Sequence, residues 1–454
     1  MKKKIFIFIL FLFVFSDIFS NALDEDCAYL ETLLSDVAID MSLALEEKNL
    51  TSKDVINDIK SIYKKTASKK VEFDKKAFAS AISESYAKFS NINGHVSVYD
   101  VSGDNFYVPF SHQFVYYSDI YFIKENDSYV VYESYKKIKK GMRYTGSTDN
   151  LLKTIHDNQI LYRFGTFSSN FIKNCLILIE NKEYKVPVFG DTGSIKNRKD
   201  YDFQKIDDSI YLKIEECNYS DKTKEKQFFE DSAKIIKEFK NTNSIIFDFR
   251  NNLGGLPRYL DQFTYALIYD EKTKDNDSKF SEWRLDLYAG EKLINTKSML
   301  DRLRLNGRTS SDLINYRLAN LDKKYIEDVE DKQVIVTPWY KEKIYVLINP
   351  LTCSAAEDFI LQLKRLFGQN VIIIGQNSNG CLDFIDPYKF SLPNSKIQIK
   401  LSTTDFRKSK LLTEECWNGD TCGVFPDYWC EPKDIITVLS YLTKNKNLKN
   451  FIKL

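Results

Sequence analysis

The sequence predicts a mixed α/β fold, and three observations carry that reading. Lys343 to Pro350 is an apolar run of buried-strand type, after which Ala356, Phe359, Ile360, Leu363 and Phe367 recur at helical spacing until Gly368 stops the helix. A second strand follows at Val371 to Gly375. Ser244 to Arg250 is another strand, followed by Asn251-Asn252-Leu253-Gly254-Gly255 and a helix from about Pro257. Composition agrees. With 454 residues, 43% hydrophobic and 28% charged, the chain has the material for two to three folded domains, and a net charge of +1 argues against electrostatic capture of nucleic acid or an anionic membrane.

Taken in chain order, residues 1–22 read as a secretory signal peptide. Lys2, Lys3 and Lys4 precede an unbroken apolar run from Ile5 to Phe15, and Ser20 and Ala22 supply small residues for cleavage after Ala22. That run is short of the roughly 20 residues a membrane span needs. The expectation is an exported protein, periplasmic or extracellular, with no stable membrane insertion after cleavage. Residues 23–98 read as helical, most clearly over Cys27 to Leu45 and Phe73 to Phe89. Residues 99–205 turn to short strands, among them Phe106 to Val108, Asp119 to Ile123, Tyr129 to Tyr132 and Cys175 to Ile179. The polar run Gly190 to Asn197 reads as the linker into a core over residues 206–454. That core opens with a strand at Ser209 to Ile214 and a helix over Phe228 to Phe239. Within it, residues 271–342 are a charged insertion, helical in pattern over Trp283 to Arg304 and Leu313 to Leu321. It reads equally as a lid over a cleft or as a solvated decoration or oligomer contact, and the oligomeric state is left open.

Ser354 is where chemistry is expected. It stands at a strand-to-helix turn, beside unpaired backbone N–H groups and the positive end of a helix dipole, where an acyl-transfer nucleophile would be placed. A serine there is also an ordinary N-cap. The Gly254-Gly255 pair after a second strand allows positive φ and close backbone approach, so that N–H groups can point into a site.

The two segments together are more informative. Asp248-x-Arg250-x-Asn252-x-Gly254-Gly255 precedes Ser354-Ala355-Ala356-Glu357 by about a hundred residues, and Gly375 to Gly380, Leu392 to Ser395 and Gly423-Val424-Phe425-Pro426-Asp427 follow in order. This combination resembles the C-terminal-processing (tail-specific) serine peptidases, including their tricorn-core branch. The resemblance covers most of the chain beyond about residue 75. It implies a crotonase-like α/β core acting as a serine endopeptidase on extended or unfolded polypeptides, with no cofactor. It leaves two readings for residues 99–205: a divergent PDZ-like module, with Lys139 to Leu152 as its remnant, or an unrelated β-domain.

The resemblance also implies roles. Ser354 is the nucleophile, and backbone N–H groups of Ala355 and of Gly254 or Gly255 form the oxyanion hole. Where branches with a Ser/Lys dyad carry lysine, this chain has Asn379, and Lys364 reads as a surface residue on the polar face of its helix. The tricorn-core branch takes its base from a histidine after an early helix, and His95 in Asn93-Gly94-His95 holds that position. His112 and His156 have no such context, although His112 lies near the same segment. The acid orienting the base is assigned to Asp420, three residues before Gly423, with Glu415 second. Asp248 and Arg250 read as structural.

Eight cysteines fit an oxidising compartment without demanding disulfides, and Cys416, Cys422 and Cys430 are grouped so that one bridge among them would staple the loop carrying Asp420. Cys353 reads as a small hydrophobe facing the core. Three histidines and the lack of a Cys-x-x-Cys pair point away from a zinc site. The main rival reading is a non-catalytic protein of the same fold that binds apolar ligands or peptides, since fold alone does not decide function.

Overall fold

The computed structural model describes residues 22–452 except 69–70, 72, 101–104, 191–199, 271–276, 307–310 and 328–332. The expected signal peptide up to residue 21 and the expected linker over 191–197 lie outside the described residues. The chain forms two compact units, each discontinuous in sequence: one from residues 1–111, 288–330 and 383–409, the other from 112–287, 331–382 and 410–454.

The second unit is built on a six-stranded sheet. Its strands run in the order Tyr428–Trp429, Val371–Gly375, Lys343–Ile348, Ser244–Asp248, Ser209–Ile214 and Tyr201–Ile206. All neighbours are parallel except the last pair, which is antiparallel. Strand Ser244–Asp248 is buried at every position, as its continuous apolar run requires of a central parallel strand. Its register with Lys343–Ile348 places Asp248 beside Leu347, so the loops that follow both strands leave the same edge of the sheet. Carboxyl ends of parallel strands are the usual place for a site in such sheets. The helices Arg258–Ile268 and Ala355–Phe367 follow those loops, and Phe359 packs its ring 5.0 Å from Phe247 and 5.5 Å from Phe249. The helix near residue 228 begins earlier than its apolar spacing suggests, at Lys222, because Asp221 caps it by accepting from the Thr223 and Lys224 N–H groups.

The same unit carries a four-stranded antiparallel sheet in the order Ser128–Val131, Phe114–Glu125, Gln159–Ser168 and Leu151–His156. A separate hairpin pairs Asn174–Ile179 with Lys182–Pro187. Phe167 of this sheet stacks on Phe425 with ring centroids 5.2 Å apart and meets Trp429 edge-on, which steadies the chain on either side of Pro426.

The first unit holds helices at residues 22–36, Ile39–Glu47, Ser52–Thr66 and Lys75–Phe89 around a second sheet. That sheet runs Tyr325–Glu327, Lys292–Ile294, Gln398–Asp405, Ser97–Tyr99 and Phe106–Tyr107, with Phe384–Ser391 also paired to Gln398–Asp405. Two expected helices are each divided. The stretch Cys27 to Leu45 breaks at Val37-Ala38, where the Asp36 carbonyl accepts from the Thr296 hydroxyl at 2.6 Å. The stretch Trp283 to Arg304 becomes helix Asp277–Tyr288, strand Lys292–Ile294 and helix Lys297–Asn306. There, pairing of Leu293 with Thr404 overrides helical periodicity, and Gly290 at φ +96° makes the turn.

Helix Lys75–Phe89 delivers Asn93 and His95. Asp74 caps it by accepting from the Ala77 N–H, and Tyr86 on its buried face donates to Asp40, its oxygen 2.9 Å from both carboxylate oxygens. Burial pushes the Asp40 carboxyl up to about 7, against the pull of the Tyr86 and Asn93 hydrogen bonds. The folded chain therefore holds a proton there that the unfolded chain releases above its model value of 3.8, and the stability it provides at low pH is lost as pH rises towards 7. Replacing Asp40 with Asn removes this titration. In thermal melts at pH 5 and pH 8, Asp40→Asn should change the difference between the two Tm values by roughly 5 °C relative to wild type, in favour of pH 8.

Candidate active site

The site in the second unit is made by the two loops that leave adjacent strand ends. Ser354 ends one of them with φ +55° and ψ −114°, a conformation sparsely populated by any residue but glycine. Such a turn persists only when its surroundings hold it, and here several bonds do. The Cys353 N–H donates to the Asn252 carbonyl at 2.9 Å, the Ser354 N–H to Glu357 Oε2 at 2.7 Å, and the Asp358 N–H to the Ser354 carbonyl at 2.9 Å.

The glycine turn fits against it. Gly254 has φ +81°, and a Cβ there would lie 2.7 Å from Ser354 Cβ, 2.8 Å from the Cys353 carbonyl oxygen and 3.2 Å from the Ala355 nitrogen. Only hydrogen fits in that space. Ser354, Ala355 and Gly254 are thus brought together. The Gly254 N–H itself donates to Asn252 Oδ1 at 2.8 Å, and Gly255, at φ +135°, lies against the Cys217 carbonyl. Asn252, a motif position to which the sequence assigns no role, touches both loops: its side-chain amide also donates to the Ile214 carbonyl at 2.9 Å. An asparagine in a Gly-rich loop carries no signal that separates this role from an ordinary turn residue.

Glu357 is the other residue missed. It is fully buried and accepts four hydrogen bonds: from the Ser354 N–H, the Ser378 hydroxyl, the Gly380 N–H at 2.7 Å and the Cys381 N–H at 3.0 Å. Burial raises its pKa to about 7 while those bonds pull it down. Its place three residues after Ser354 is the capping-box spacing, which the sequence displays. What the sequence does not display is the loop at 378–381 gathered onto the same carboxylate.

That loop is pinned on its far side as well. The Val424 N–H donates to Ser378 Oγ at 2.6 Å, and a Cβ on Gly423, which has φ +70°, would lie 2.6 Å from the Ser378 carbonyl oxygen. The Gly-Val-Phe-Pro-Asp element ends in Asp427, which accepts from Lys364 Nζ and the Ile373 N–H, both at 2.8 Å. Lys364 is therefore not the surface residue expected from its helical position. Its ammonium is largely covered and ties the helix to the neighbouring strand through the Val371 carbonyl and Asp427. Asn379, at the position where a dyad would need lysine, donates its N–H to the Thr352 carbonyl and its side-chain amide to the Pro350 carbonyl.

Asp248 and Arg250 are structural in geometry. Arg250 grips Asp248 through Nε at 2.8 Å and Nη2 at 2.6 Å, and the Tyr211 hydroxyl donates to the same carboxylate. Burial would raise the Asp248 pKa, but the guanidinium outweighs it and holds it below the ordinary value.

Of the two candidate acids, Asp420 is buried and accepts from the Leu382 N–H at 2.8 Å. Glu415 is exposed and lines an open cavity of about 800 Å³ together with Lys364 and Asp427. His95 belongs to the first unit and is buried there, with Nδ1 2.7 Å from the Phe384 carbonyl oxygen. A carbonyl can only accept, so Nδ1 carries the proton and Nε2 is the basic nitrogen. Burial first, then the charge of Lys400, lowers the His95 pKa to about 3. His112 Nδ1 lies 2.9 Å from the Asn379 carbonyl oxygen, and His156 stacks on Tyr121 at 4.0 Å.

All eight cysteines are thiols in this structure, so no bridge joins Cys416, Cys422 or Cys430. Cys430 lies instead in an apolar cluster with Tyr428 and Ile435. Cys353 is half-buried and faces Cys381 and Glu357, where the sequence suggested a core-facing hydrophobe. The Cys353 Sγ, a Glu357 oxygen and the Cys381 Sγ lie within 4.8 Å of one another.

Two substitutions test this geometry. Gly254→Ala should displace the Ser354 turn and lower any Ser354 reactivity by about 100-fold, the scale expected when a reacting group is misplaced by about 1 Å. Glu357→Gln keeps the volume but turns an NH2 group towards backbone N–H donors. It should cost about 1–3 kcal/mol in denaturant unfolding and lower Ser354 reactivity in the same assay.

Residues 208–428 match the model of peptidase family S41. No curated protein matches the chain. Among solved structures, mature CPAF complexed with lactacystin is similar at 15% identity and a TM-score of 0.41, covering 95% of this chain and 98% of its own. A putative peptidase from Parabacteroides merdae aligns at 13% identity and a TM-score of 0.40, covering 95% and 99%. The photosystem II D1 C-terminal processing protease aligns at 11% identity and a TM-score of 0.35, covering 95% and 96%. The family match spans both loops of the site, from the strand preceding the Gly-Gly turn to the Gly-Val-Phe-Pro-Asp element. Over residues 208–428, just under half of its length, the chain matches peptidase family S41, and that match marks this part of it as a peptide hydrolase domain.

Proposed function

We propose that the protein is an exported serine endopeptidase that cleaves extended or unfolded polypeptides, with Ser354 as nucleophile. The observation that carries the reading is the strained backbone of Ser354, kept at a strand-to-helix turn against Gly254 and tied through its N–H to a buried Glu357. Strain held this firmly at a hydroxyl-bearing residue is the hallmark of a pre-organised nucleophile.

In the proposed mechanism Ser354 Oγ attacks the scissile carbonyl and His95 Nε2 takes its proton, later returning it to the leaving amine. The Nδ1 bond to the Phe384 carbonyl supports this assignment, because it leaves Nε2 as the acceptor. Asp420 is the preferred acid over Glu415, since it is buried in a fixed loop whereas Glu415 is exposed. The Ala355 N–H, at the first turn of its helix, and the Gly255 side of the glycine turn stabilise the oxyanion, while the Gly254 N–H, expected from the sequence as a possible donor, is taken by Asn252 Oδ1; a donor there is worth about 2.7–4 kcal/mol in the transition state. Water then releases the acyl group. The core is proposed to be crotonase-like and the strand-rich segment before it a divergent PDZ-like or unrelated β-domain. No helix among the described residues is long and apolar enough to cross a membrane. The protein is proposed to be released into a periplasmic or extracellular space after removal of residues 1–22.

Labelling by a fluorophosphonate probe tests the reading. Wild type should label, and Ser354→Ala and His95→Ala should each abolish labelling. A folded wild type that neither labels nor cleaves unfolded protein after limited proteolysis would favour a binding protein for apolar ligands or peptides. The pH profile adds a second check. Because burial lowers the His95 pKa from 6.5 to about 3, the imidazole stays neutral, with Nε2 unprotonated, well below pH 6. The acid limb of the labelling rate should therefore fall below pH 5 rather than near 6.5.

A further inference from the structure

Two thiols meet beside the Ser354 turn and have no role in the reaction above. Cys353 immediately precedes Ser354, and Cys381 follows the loop bound by Glu357. Their sulfurs lie within 4.8 Å of each other, and the Cys381 thiol donates to Asn379 Oδ1 at 3.1 Å. The backbones that carry them are already joined, by the Asn379 N–H donating to the Thr352 carbonyl at 2.8 Å and by Glu357 accepting from both the Ser354 and the Cys381 N–H groups. Closing the sulfurs to the 2.05 Å of a disulfide therefore calls for side-chain rotation rather than strand movement.

The same cluster could be read as a cation site, with Glu357 as third ligand. The carboxylate argues against it. Both of its oxygens already accept two hydrogen bonds each, and binding a cation would break bonds that position Ser354 and the loop at 378–381. Cys381 is almost wholly buried, and a neutral disulfide suits that setting better than a pair of thiolates.

We infer that Cys353 and Cys381 are a dithiol modification site that forms a disulfide, locking the nucleophile turn to the loop at 379–381. The oxidant is a small-molecule or protein disulfide. The thiolate of half-exposed Cys353 attacks one of its sulfurs, one thiol leaves, and Cys381 then displaces the second from the mixed disulfide. The two protons and two electrons lost by Cys353 and Cys381 end on the two departing sulfurs, which leave as thiols. The bond closes a loop of 28 residues' separation and adds a covalent tie parallel to the Glu357 bonds. The bond itself does not depend on the proposed nucleophile, whereas its effect on serine reactivity does.

The experiment treats the full-length mature protein with an excess of oxidised glutathione, blocks remaining thiols with iodoacetamide, and maps peptides without reduction. A peptide joining Cys353 to Cys381, absent in Cys353→Ser and in Cys381→Ser, is the expected result. It should come with a Tm raised by about 3 °C or more that dithiothreitol reverses. Alkylation of both residues after oxidation, or pairing of either with a different cysteine, would overturn the inference. So would a Tm rise that EDTA abolishes and dithiothreitol does not, since that marks a bound cation. If the cross-link forms but neither redox state labels with fluorophosphonate, the disulfide stands and the peptidase assignment of Ser354 fails.

Discussion

The buried carboxylate of Glu357 is the constraint on which the rest of the site depends. It accepts from the backbone of the nucleophile turn on one oxygen and from the loop at 378–381 on both, while Ser378 passes the tie on to Val424. A buried carboxylate without partners would be costly, so its four bonds are a condition of its being there at all. They also explain how Ser354 keeps a backbone conformation that most side chains avoid. The helix contributes a cap, but the cap's carboxylate does more than end a helix: it fastens three chain segments to one point.

The parallel sheet supplies the frame for that point. Equal registers between Ser244–Asp248 and Lys343–Ile348 put both following loops at one edge, and Asn252 then joins them by bonding to the Cys353 and Gly254 backbones. Arg250 and Asp248 close the strand end below with a bidentate pair that is shielded from solvent. Such a pair is weak evidence for stability in itself, because desolvation offsets much of its attraction. Its value here is directional, since breaking it would leave an uncompensated charge beneath the turn.

Much of the site's loop content was legible before the structure. The Gly-Gly turn, the Ser-Ala-x-Glu turn and the closing Gly-Val-Phe-Pro-Asp element are short motifs whose residues are demanded by local backbone geometry, and local geometry is what a sequence displays. Lys364 departs from its sequence expectation for the opposite reason. Its helical phase is that of an exposed position, and only the arrival of Asp427 from 63 residues further on covers it. Cys353 does likewise, because Cys381, which faces it, comes from a remote segment.

The divided helices mark the same boundary. Periodicity over Trp283 to Arg304 favours one helix, yet Lys292–Ile294 pairs into a sheet with a strand a hundred residues away, and non-local pairing outweighs a weak local preference. By itself the sequence determined the α/β class, the two motif-bearing loops and the residue types capable of acyl transfer, since each follows from side-chain size, φ preference or periodicity within a few residues. Tertiary structure alone decided which loops share a carboxylate, which thiols face each other and which nitrogen of His95 is basic. Those are matters of distance between remote segments, and hydrogen bonds, unlike periodicity, exist only once the chain has brought their partners together.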